Sequence, residues 1–170
     1  MTFSEPCLQR ATGVVERLTM SGRRLATAES CTGGLIGACL TEIPGSSAVV
    51  DRGFIVYSNQ AKHDLLGVEM AVLEDHGAVS PEVAKAMALG ARERSAVDFA
   101  IAVTGIAGPG GATATKPLGL VYLALASVDH VEVVREVFEG DRRAVRMATL
   151  ERALRMIEDA AGRDGTFKTL

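Results

Sequence analysis

The sequence predicts an α/β domain, and three observations lead to this prediction. Short β-branched and apolar runs alternate along the chain with amphipathic helical segments, which is the pattern of an α/β fold. The length of 170 residues suits one domain with an adequate core. No internal repeat, low-complexity tract or linker divides the chain, so we expect a single domain over residues 1–170.

Five segments have the composition of strands. The β-branched apolar run "VDFAIAVTG" predicts a central strand buried on both faces. The polar pair Asp129 and His130 separates the last two segments, which predicts a hairpin. The predicted strands are residues 23–30, 49–58, 97–105, 118–128 and 130–140.

Five segments are predicted to be helices, and the clearest helix start is at Ser80. Its hydroxyl can accept a backbone hydrogen bond as N-cap, Pro81 suits the first helical position, and Glu82 favours the positive end of the helix dipole. Asp141 can cap the last helix in the same way. The predicted helices are residues 5–20, 32–43, 59–68, 80–96 and a segment that begins after Asp141, with residues 162–170 as a loose tail.

The composition excludes several classes of function. A formal net charge of −3 provides no basic footprint for nucleic acid. No apolar run approaches the roughly 18 residues of a membrane span, and residues 1–20 lack the apolar stretch of a secretory signal. The three cysteines show no CxxC pairing, which favours free thiols in a reducing compartment. We therefore expect a cytoplasmic protein that binds neither nucleic acid nor a membrane.

A glycine-rich segment, "TGIAGPGGATATKPLG" at 104–119, follows the predicted buried strand. Glycines let backbone amides converge on an anion, and ligands of open α/β sheets collect beyond the carboxyl ends of strands. The segment matches neither a Walker A loop nor GxGxxG. The alternative is a flexible connection between two strands. Its five glycines are Gly105, Gly108, Gly110, Gly111 and Gly119.

Three arginines, Arg142, Arg143 and Arg146, fall in the first turns of the predicted last helix. Cations at a helix N-terminus oppose the dipole by roughly 0.3–1 kcal/mol each. A bound anion would reverse that cost, and arginine offers bidentate geometry for phosphate. The alternative is that these arginines pair with neighbouring carboxylates on a solvated face.

Two adjacent nucleophiles, Ser30 and Cys31, lie at a predicted strand-to-helix turn in "TAESCTGGLIG". Backbone amides from Cys31 through Thr32 and Gly33 to Gly34 could stabilise a developing oxyanion there. A serine hydroxyl needs a base to become a nucleophile. The alternative for Ser30 is a helix cap.

Lys62 is the best candidate for that base. None of the three histidines has motif support, and GxSxG is absent. A lysine can serve when burial lowers its pKa, and Lys62 follows the carboxyl end of the second predicted strand. The alternative is an ordinary exposed helix lysine. Cys31 remains either a rival nucleophile or a small buried hydrophobe.

Seven segments occur in a specific order: "AESCTGG", "GSS", "RGFIVYSNQAKHDLLGV", "HGAVS", "TGIAGPGG", "KPLGLVY" and "GDRRAVR". Together they resemble the CinA C-terminal domain family, the nicotinamide-nucleotide amidohydrolases, from about residue 8 to residue 157. The resemblance implies a three-layer α/β/α single domain with a mixed, mainly parallel sheet of about five strands. It also implies that the protein needs no metal or cofactor and forms a homodimer or higher homo-oligomer.

The resemblance further implies hydrolysis of the carboxamide of nicotinamide mononucleotide to nicotinate mononucleotide and ammonia. Ser30 resembles the nucleophile, Lys62 its base, and Tyr57 a residue that orients this pair or the leaving ammonia. The implied substrate-binding residues are Thr32, Gly33, Gly34, Thr104, Gly105, Gly108, Gly110, Gly111 and Arg142.

Two departures from the family pattern stand out. The family loop continues with further small residues and an acidic residue before Lys-Pro, whereas this chain has "GGATATKP", so no contact is assigned to Thr113 or Thr115. Some members also carry an N-terminal domain that resembles molybdopterin-binding proteins, and we expect this chain to be a standalone form. A competing hypothesis is a non-catalytic nucleotide sensor or a competence- or damage-related interaction module.

Overall fold

A five-stranded mixed sheet forms the middle layer of the computed structural model, which describes residues 3–163. The spatial order is β2-β1-β3-β4-β5. Strands β2, β1 and β3 are mutually parallel, and β4 is antiparallel to both of its neighbours, so β5 again runs with the first three. The strands are β1 (Leu25–Glu29), β2 (Val50–Ile55), β3 (Phe99–Gly105), β4 (Leu120–Ala126) and β5 (Val131–Val137).

Helices cover both faces of the sheet, which confirms the three-layer α/β/α prediction. One face packs against α1, α2 and α6, and the opposite face packs against α3, α4 and α5. The helices are α1 (Glu5–Ser21), α2 (Leu35–Thr41), α3 (Asn59–Leu66), α4 (Met70–His76), α5 (Pro81–Ser95) and α6 (Arg142–Arg163). A short 3₁₀ turn, Ser46–Ala48, precedes β2.

The two faces of the central strand β3 differ in side-chain size. Phe99, Ile101 and Val103 pack toward α1, α2 and α6, while Ala100 and Ala102 pack toward α5. Successive side chains of a strand point to opposite faces, so one apolar run supplies both interfaces. The predicted burial of this strand is confirmed.

All ten predicted elements are present, with ends that lie within three residues of the predicted ones. The helix predicted over 32–43 begins only at Leu35, because the residues before it form a turn. The short helix α4 was not predicted, and its N-cap residue, Glu69, makes no side-chain capping bond. Helix α6 extends through Arg163, two residues into the predicted tail, and residues 164–170 lie outside the described part of the chain.

Both predicted helix caps are confirmed. The Val83 amide donates to the Ser80 hydroxyl at 3.3 Å, and the Ala144 amide donates to the Asp141 carboxylate at 2.8 Å. Between residues 3 and 163, no helix is both long and apolar enough to cross a bilayer.

Candidate active site

The predicted nucleophile and base lie together at the carboxyl end of the sheet. Ser30 directly follows β1, and its backbone amide donates to the Val103 carbonyl of β3 at 3.1 Å. Its hydroxyl oxygen lies 3.2 Å from the amine of Lys62 on α3. The parallel pairing of β1 with β2 brings the start of α3 beside the end of β1, and this explains the contact.

Lys62 is buried, with 1% of its surface exposed, so the alternative of an ordinary exposed lysine is wrong. Its amine also lies 2.9 Å from the Val56 carbonyl and 3.3 Å from the Tyr57 carbonyl. Within residues 3–163, no carboxylate forms a salt bridge with this amine. Desolvation by burial lowers the pKa of the Lys62 amine below its usual 10.5.

The three oxygen partners of the Lys62 amine can be satisfied by a neutral amine, and equally by an ammonium that donates to each of them. Carbonyl oxygens only accept hydrogen bonds, so the two N–H groups of a neutral amine are directed to Val56 and Tyr57. In the neutral form the lone pair is then left to accept the hydroxyl hydrogen of Ser30, whereas in the protonated form the amine donates to the Ser30 oxygen. This arrangement suits a base that removes a proton from serine.

Two consecutive glycines shape the turn between Ser30 and α2. Gly33 and Gly34 have φ angles of +61° and +98°, which lie in the left-handed region that residues with a Cβ rarely adopt. A Cβ at Gly34 would also lie 3.1 Å from the side chain of Ile55. The Gly33 amide donates to the Ser30 carbonyl at 3.2 Å, which closes the turn.

Glu29, immediately before Ser30, is a buried carboxylate that sequence reasoning missed. It accepts hydrogen bonds from the amides of Gly34 and Ile36 at 3.0 Å and of Gly37 at 2.8 Å. The available signal was its charge at the end of an apolar strand, since a buried charge requires donors. The amides predicted to hold an oxyanion at Gly33 and Gly34 therefore already have acceptors.

The three arginines at the start of α6 have different surroundings. Arg146 donates to the Cys31 carbonyl at 3.1 Å and to the Thr32 carbonyl at 2.7 Å, so it binds the Ser30 turn. Arg142 reaches toward the glycine-rich loop, and Arg143 is exposed. Neither Arg142 nor Arg146 forms a salt bridge with a carboxylate of residues 3–163.

Arg142 joins two segments at the edge of the site. It donates to the Gly108 carbonyl at 2.8 Å and to the Tyr57 hydroxyl at 2.9 Å. The Tyr57 side chain is 61% exposed, and it is the backbone carbonyl of Tyr57 that contacts Lys62. The resemblance suggests that the Tyr57 side chain orients the dyad, whereas its observed contact is with Arg142.

The glycine-rich loop combines structural and exposed positions. The buried Thr104 hydroxyl donates to the Ala78 carbonyl at 2.7 Å, and a Cβ at Gly105 would lie 2.8 Å from the Leu120 carbonyl. These two residues thus have packing roles. Gly110 and Gly111 are exposed.

A cleft of about 550 Å³ adjoins this loop. Gly108, Leu118, Phe138 and Arg142 are among its lining residues, whereas Ser30 and Lys62 are not. Arg142 therefore lies between the cleft and the Tyr57 side of the site.

Cys31 and Thr32 are both buried in the turn. Desolvation raises the pKa of the Cys31 thiol to about 11, so it remains a thiol near neutral pH. This disfavours Cys31 as the nucleophile. The Thr32 hydroxyl has no hydrogen-bond partner among the described residues. In the same part of the chain, no three His, Cys, Asp or Glu side chains cluster as metal ligands.

Comparison with known proteins identifies the family. A model of the CinA C-terminal domain matches residues 8–161. The chain belongs to this family. A CinA-like protein of Parasynechococcus marenigrum is 54% identical over 147 residues, which cover 85% of this chain and 35% of that protein. The chain thus spans about a third of the length of the curated relatives it matches.

Solved structures of the family share the fold described above. The competence/damage inducible protein CihA of Agrobacterium tumefaciens is 47% identical, with a TM-score of 0.91 over 95% of this chain and 99% of that chain. A CinA superfamily protein of Klebsiella pneumoniae is 33% identical, with a TM-score of 0.89 over 92% of this chain and 98% of that chain. The resemblance inferred from the ordered motifs is confirmed.

Proposed function

We propose that this CinA-family domain hydrolyses the carboxamide of nicotinamide mononucleotide to nicotinate mononucleotide and ammonia. The single observation that carries the proposal is the 3.2 Å contact between the Ser30 hydroxyl and the buried Lys62 amine. A serine paired with a desolvated lysine is suited to acyl transfer, and a carboxamide is an acyl donor. The resemblance supplies the identity of the nucleotide.

The first half-reaction releases ammonia. The neutral Lys62 amine takes the proton of the Ser30 hydroxyl while the serine oxygen bonds to the carboxamide carbon. The tetrahedral intermediate collapses when the Lys62 ammonium returns that proton to the amide nitrogen. The carbon–nitrogen bond breaks, ammonia leaves, and an ester between Ser30 and the nicotinoyl group remains.

The second half-reaction regenerates the enzyme. Lys62, neutral again, takes a proton from water as the water oxygen attacks the ester carbonyl. The second tetrahedral intermediate expels the serine oxygen, which recovers a proton from Lys62. Nicotinate mononucleotide leaves, and both side chains return to their starting protonation states.

The oxyanion of each intermediate needs donors that are not already occupied. Glu29 accepts from the amides of Gly34, Ile36 and Gly37, so these three amides at the start of α2 are not available to the oxyanion. The amides of Cys31 and Thr32 donate neither to Glu29 nor to a backbone carbonyl within residues 3–163, and their acceptor there is the Cys31 sulfur, a weak acceptor that an oxyanion would displace. We assign the oxyanion to these two amides, which adjoin the nucleophile.

Arg142 is our candidate for binding the substrate phosphate. Its two partners, the Gly108 carbonyl and the Tyr57 hydroxyl, are neutral, and no carboxylate of residues 3–163 forms an ion pair with the guanidinium. A phosphate would accept charge-assisted hydrogen bonds from it. Binding energy from this remote group would position the carboxamide over Ser30.

Ammonia release from the purified chain tests the proposal. Nicotinamide mononucleotide is compared with free nicotinamide and with the dinucleotide, and Ser30→Ala serves as the inactive reference. We expect release from the mononucleotide by the natural sequence and none by Ser30→Ala, with calorimetric binding retained in both. Binding without ammonia release by the natural sequence would favour the nucleotide-sensor hypothesis.

A further inference from the structure

The turn that carries Ser30 has its backbone bound by two charged side chains of opposite sign. Glu29 accepts from three amides at the start of α2, at 2.8–3.0 Å. Arg146 donates to two carbonyls, those of Cys31 and Thr32, at 3.1 and 2.7 Å. The two side chains therefore determine the directions of the peptide groups between the nucleophile and α2.

The contact with Arg146 has a consequence for the neighbouring amide. In a trans peptide the carbonyl and the following N–H point in opposite directions. The Cys31 carbonyl points to Arg146, so the Thr32 N–H points away from α6. The next peptide has the same opposed directions: the Thr32 carbonyl accepts from Arg146, whereas the Gly33 N–H donates to the Ser30 carbonyl. A guanidinium on the carbonyl also polarises the peptide and strengthens its N–H as a donor.

Glu29 has the complementary effect on α2. Unoccupied amides at a helix N-terminus attract anions. Here the buried Glu29 carboxylate, which is only 1% exposed, already accepts hydrogen bonds from three of these amides. These three amides are therefore not available to a developing oxyanion, unlike the amides of Cys31 and Thr32 next to Ser30.

We propose that Glu29 and Arg146 are positioning residues, which act through the backbone to set the Ser30 turn for attack and for oxyanion binding. Neither side chain contacts the reacting atoms in this account. The inference rests on the proposed function only for the choice of carboxamide substrate. The quantity that it predicts is the reaction rate of the Ser30 hydroxyl, which does not depend on the identity of the substrate.

Arg146→Lys and Glu29→Gln test the proposal with small changes of shape. A lysine has a single ammonium in place of the planar fork that binds two carbonyls, and a glutamine loses one of two acceptor oxygens. We expect kcat to fall roughly tenfold to a hundredfold, somewhat less than the loss of a whole oxyanion donor, with KM little changed. Arg155→Lys, an exposed position on the same helix, is the matched control and keeps the natural kcat.

A substrate-independent readout separates positioning from loss of folding. An aryl sulfonyl fluoride reacts with Ser30 when the hydroxyl oxygen displaces fluoride at sulfur and the proton passes to Lys62. The labelling rate, measured by mass spectrometry of the intact chain, should fall in both variants by a factor similar to that of kcat. The pH midpoint of labelling should stay at the natural value, because Lys62 is unchanged. Urea unfolding tests whether the variants are folded under the assay conditions. If Glu29→Gln is unfolded, the result for Arg146→Lys alone supports or rejects the positioning role.

The two proposals fail in different ways. If folded Arg146→Lys keeps the labelling rate and the kcat of the natural sequence, the positioning role is wrong, while the amidohydrolase proposal is unaffected. Slow labelling of Ser30 in the variants, together with no hydrolysis of nicotinamide mononucleotide by the natural sequence, would support the positioning role and reject the substrate. A change in KM alone would also reject the positioning role.

Discussion

The Lys62 amine lies 3.2 Å from the Ser30 hydroxyl, although 32 residues separate them in the chain. The remaining partners of the amine are backbone carbonyls at the end of β2. A base held by neutral acceptors in a desolvated site can lose its proton at a pH where an exposed lysine cannot. The chemistry proposed for this domain depends on that difference.

The pH dependence of activity should report the Lys62 amine. Because only the neutral amine can take the serine proton, kcat/KM should rise with pH and level off above the pKa of Lys62. Burial lowers this pKa below 10.5, so the rise should be complete at a lower pH than for an exposed lysine. Ammonia release measured across a pH series checks this expectation. An acidic limb that persists at the same midpoint in Lys62→Arg would assign the titration to another group.

Stability should also depend on pH through Lys62. Its pKa is lower in the folded state, so the unfolded chain binds the proton more readily between that value and 10.5. In this window the free energy of unfolding should rise with pH for the natural sequence relative to Lys62→Met, by at most about 1.4 kcal/mol per pH unit. Below the window the difference should be constant. Urea unfolding at several pH values measures it.

The matched control for that experiment is Lys85→Met, which removes an exposed lysine from α5. Its stability difference from the natural sequence should show no comparable slope over the same window. A slope of opposite sign for Lys62→Met would contradict the burial argument.

Replacing Cys31 with alanine should preserve catalysis. The thiol is buried and its pKa is raised to about 11, so little thiolate exists at neutral pH. Removing the sulfur from a packed site should lower the free energy of unfolding by roughly 1 kcal/mol. Ammonia assays and urea unfolding measure the two effects. Loss of turnover in a folded Cys31→Ala variant, with Ser30→Ala remaining active, would transfer the nucleophile to cysteine.

Arg142→Gln should weaken phosphate recognition. A hydrogen bond to a charged group contributes about 1.5–3 kcal/mol, so KM for nicotinamide mononucleotide should rise roughly tenfold to a hundredfold. Nicotinamide riboside, which lacks the phosphate, is the matched substrate, and its kcat/KM should be unaffected. Equal losses for both substrates would show that Arg142 acts only by holding Tyr57 and Gly108.

Two helix glycines should respond oppositely to alanine. A Cβ at Gly90 would lie 1.9 Å from the Leu66 carbonyl at the end of the helix that carries Lys62. Overpacking costs roughly 1–3 kcal/mol, and a contact this short with a backbone carbonyl lies at the upper end, above the gain in helix propensity of about 1 kcal/mol. Gly13 in α1 has only an ordinary contact, 3.4 Å from Glu158, so Gly13→Ala should stabilise. The midpoints of urea unfolding compare the two, and stabilisation by Gly90→Ala would contradict the packing argument.

Local signals predicted most of the secondary structure. The Ser80 and Asp141 caps join groups three residues apart, so the sequence alone specifies them. The consecutive apolar residues of β3 likewise predict burial on both faces without any information from the rest of the chain. Helix α4 was missed because it is short and lacks a side-chain cap.

The candidate site was only partly predictable. Their positions after predicted strands made Ser30 and Lys62 candidates, each with a structural alternative left open, and the resemblance to the family then favoured the catalytic roles. Glu29 and Arg146 were not assigned to the turn, because their partners are backbone groups brought close by the fold. A hydrogen-bonding pattern of this kind leaves no periodic trace in the sequence.

The sequence by itself therefore determined the elements, their caps and the family. The tertiary structure decided the burial of Lys62, which lowers the pKa of its amine, the carboxylate that binds the amides at the start of α2, and the separate contacts of Arg142 and Arg146. Backbone preferences act over a few neighbouring residues, whereas a pKa or a distant hydrogen bond depends on which groups the fold removes from water and places side by side.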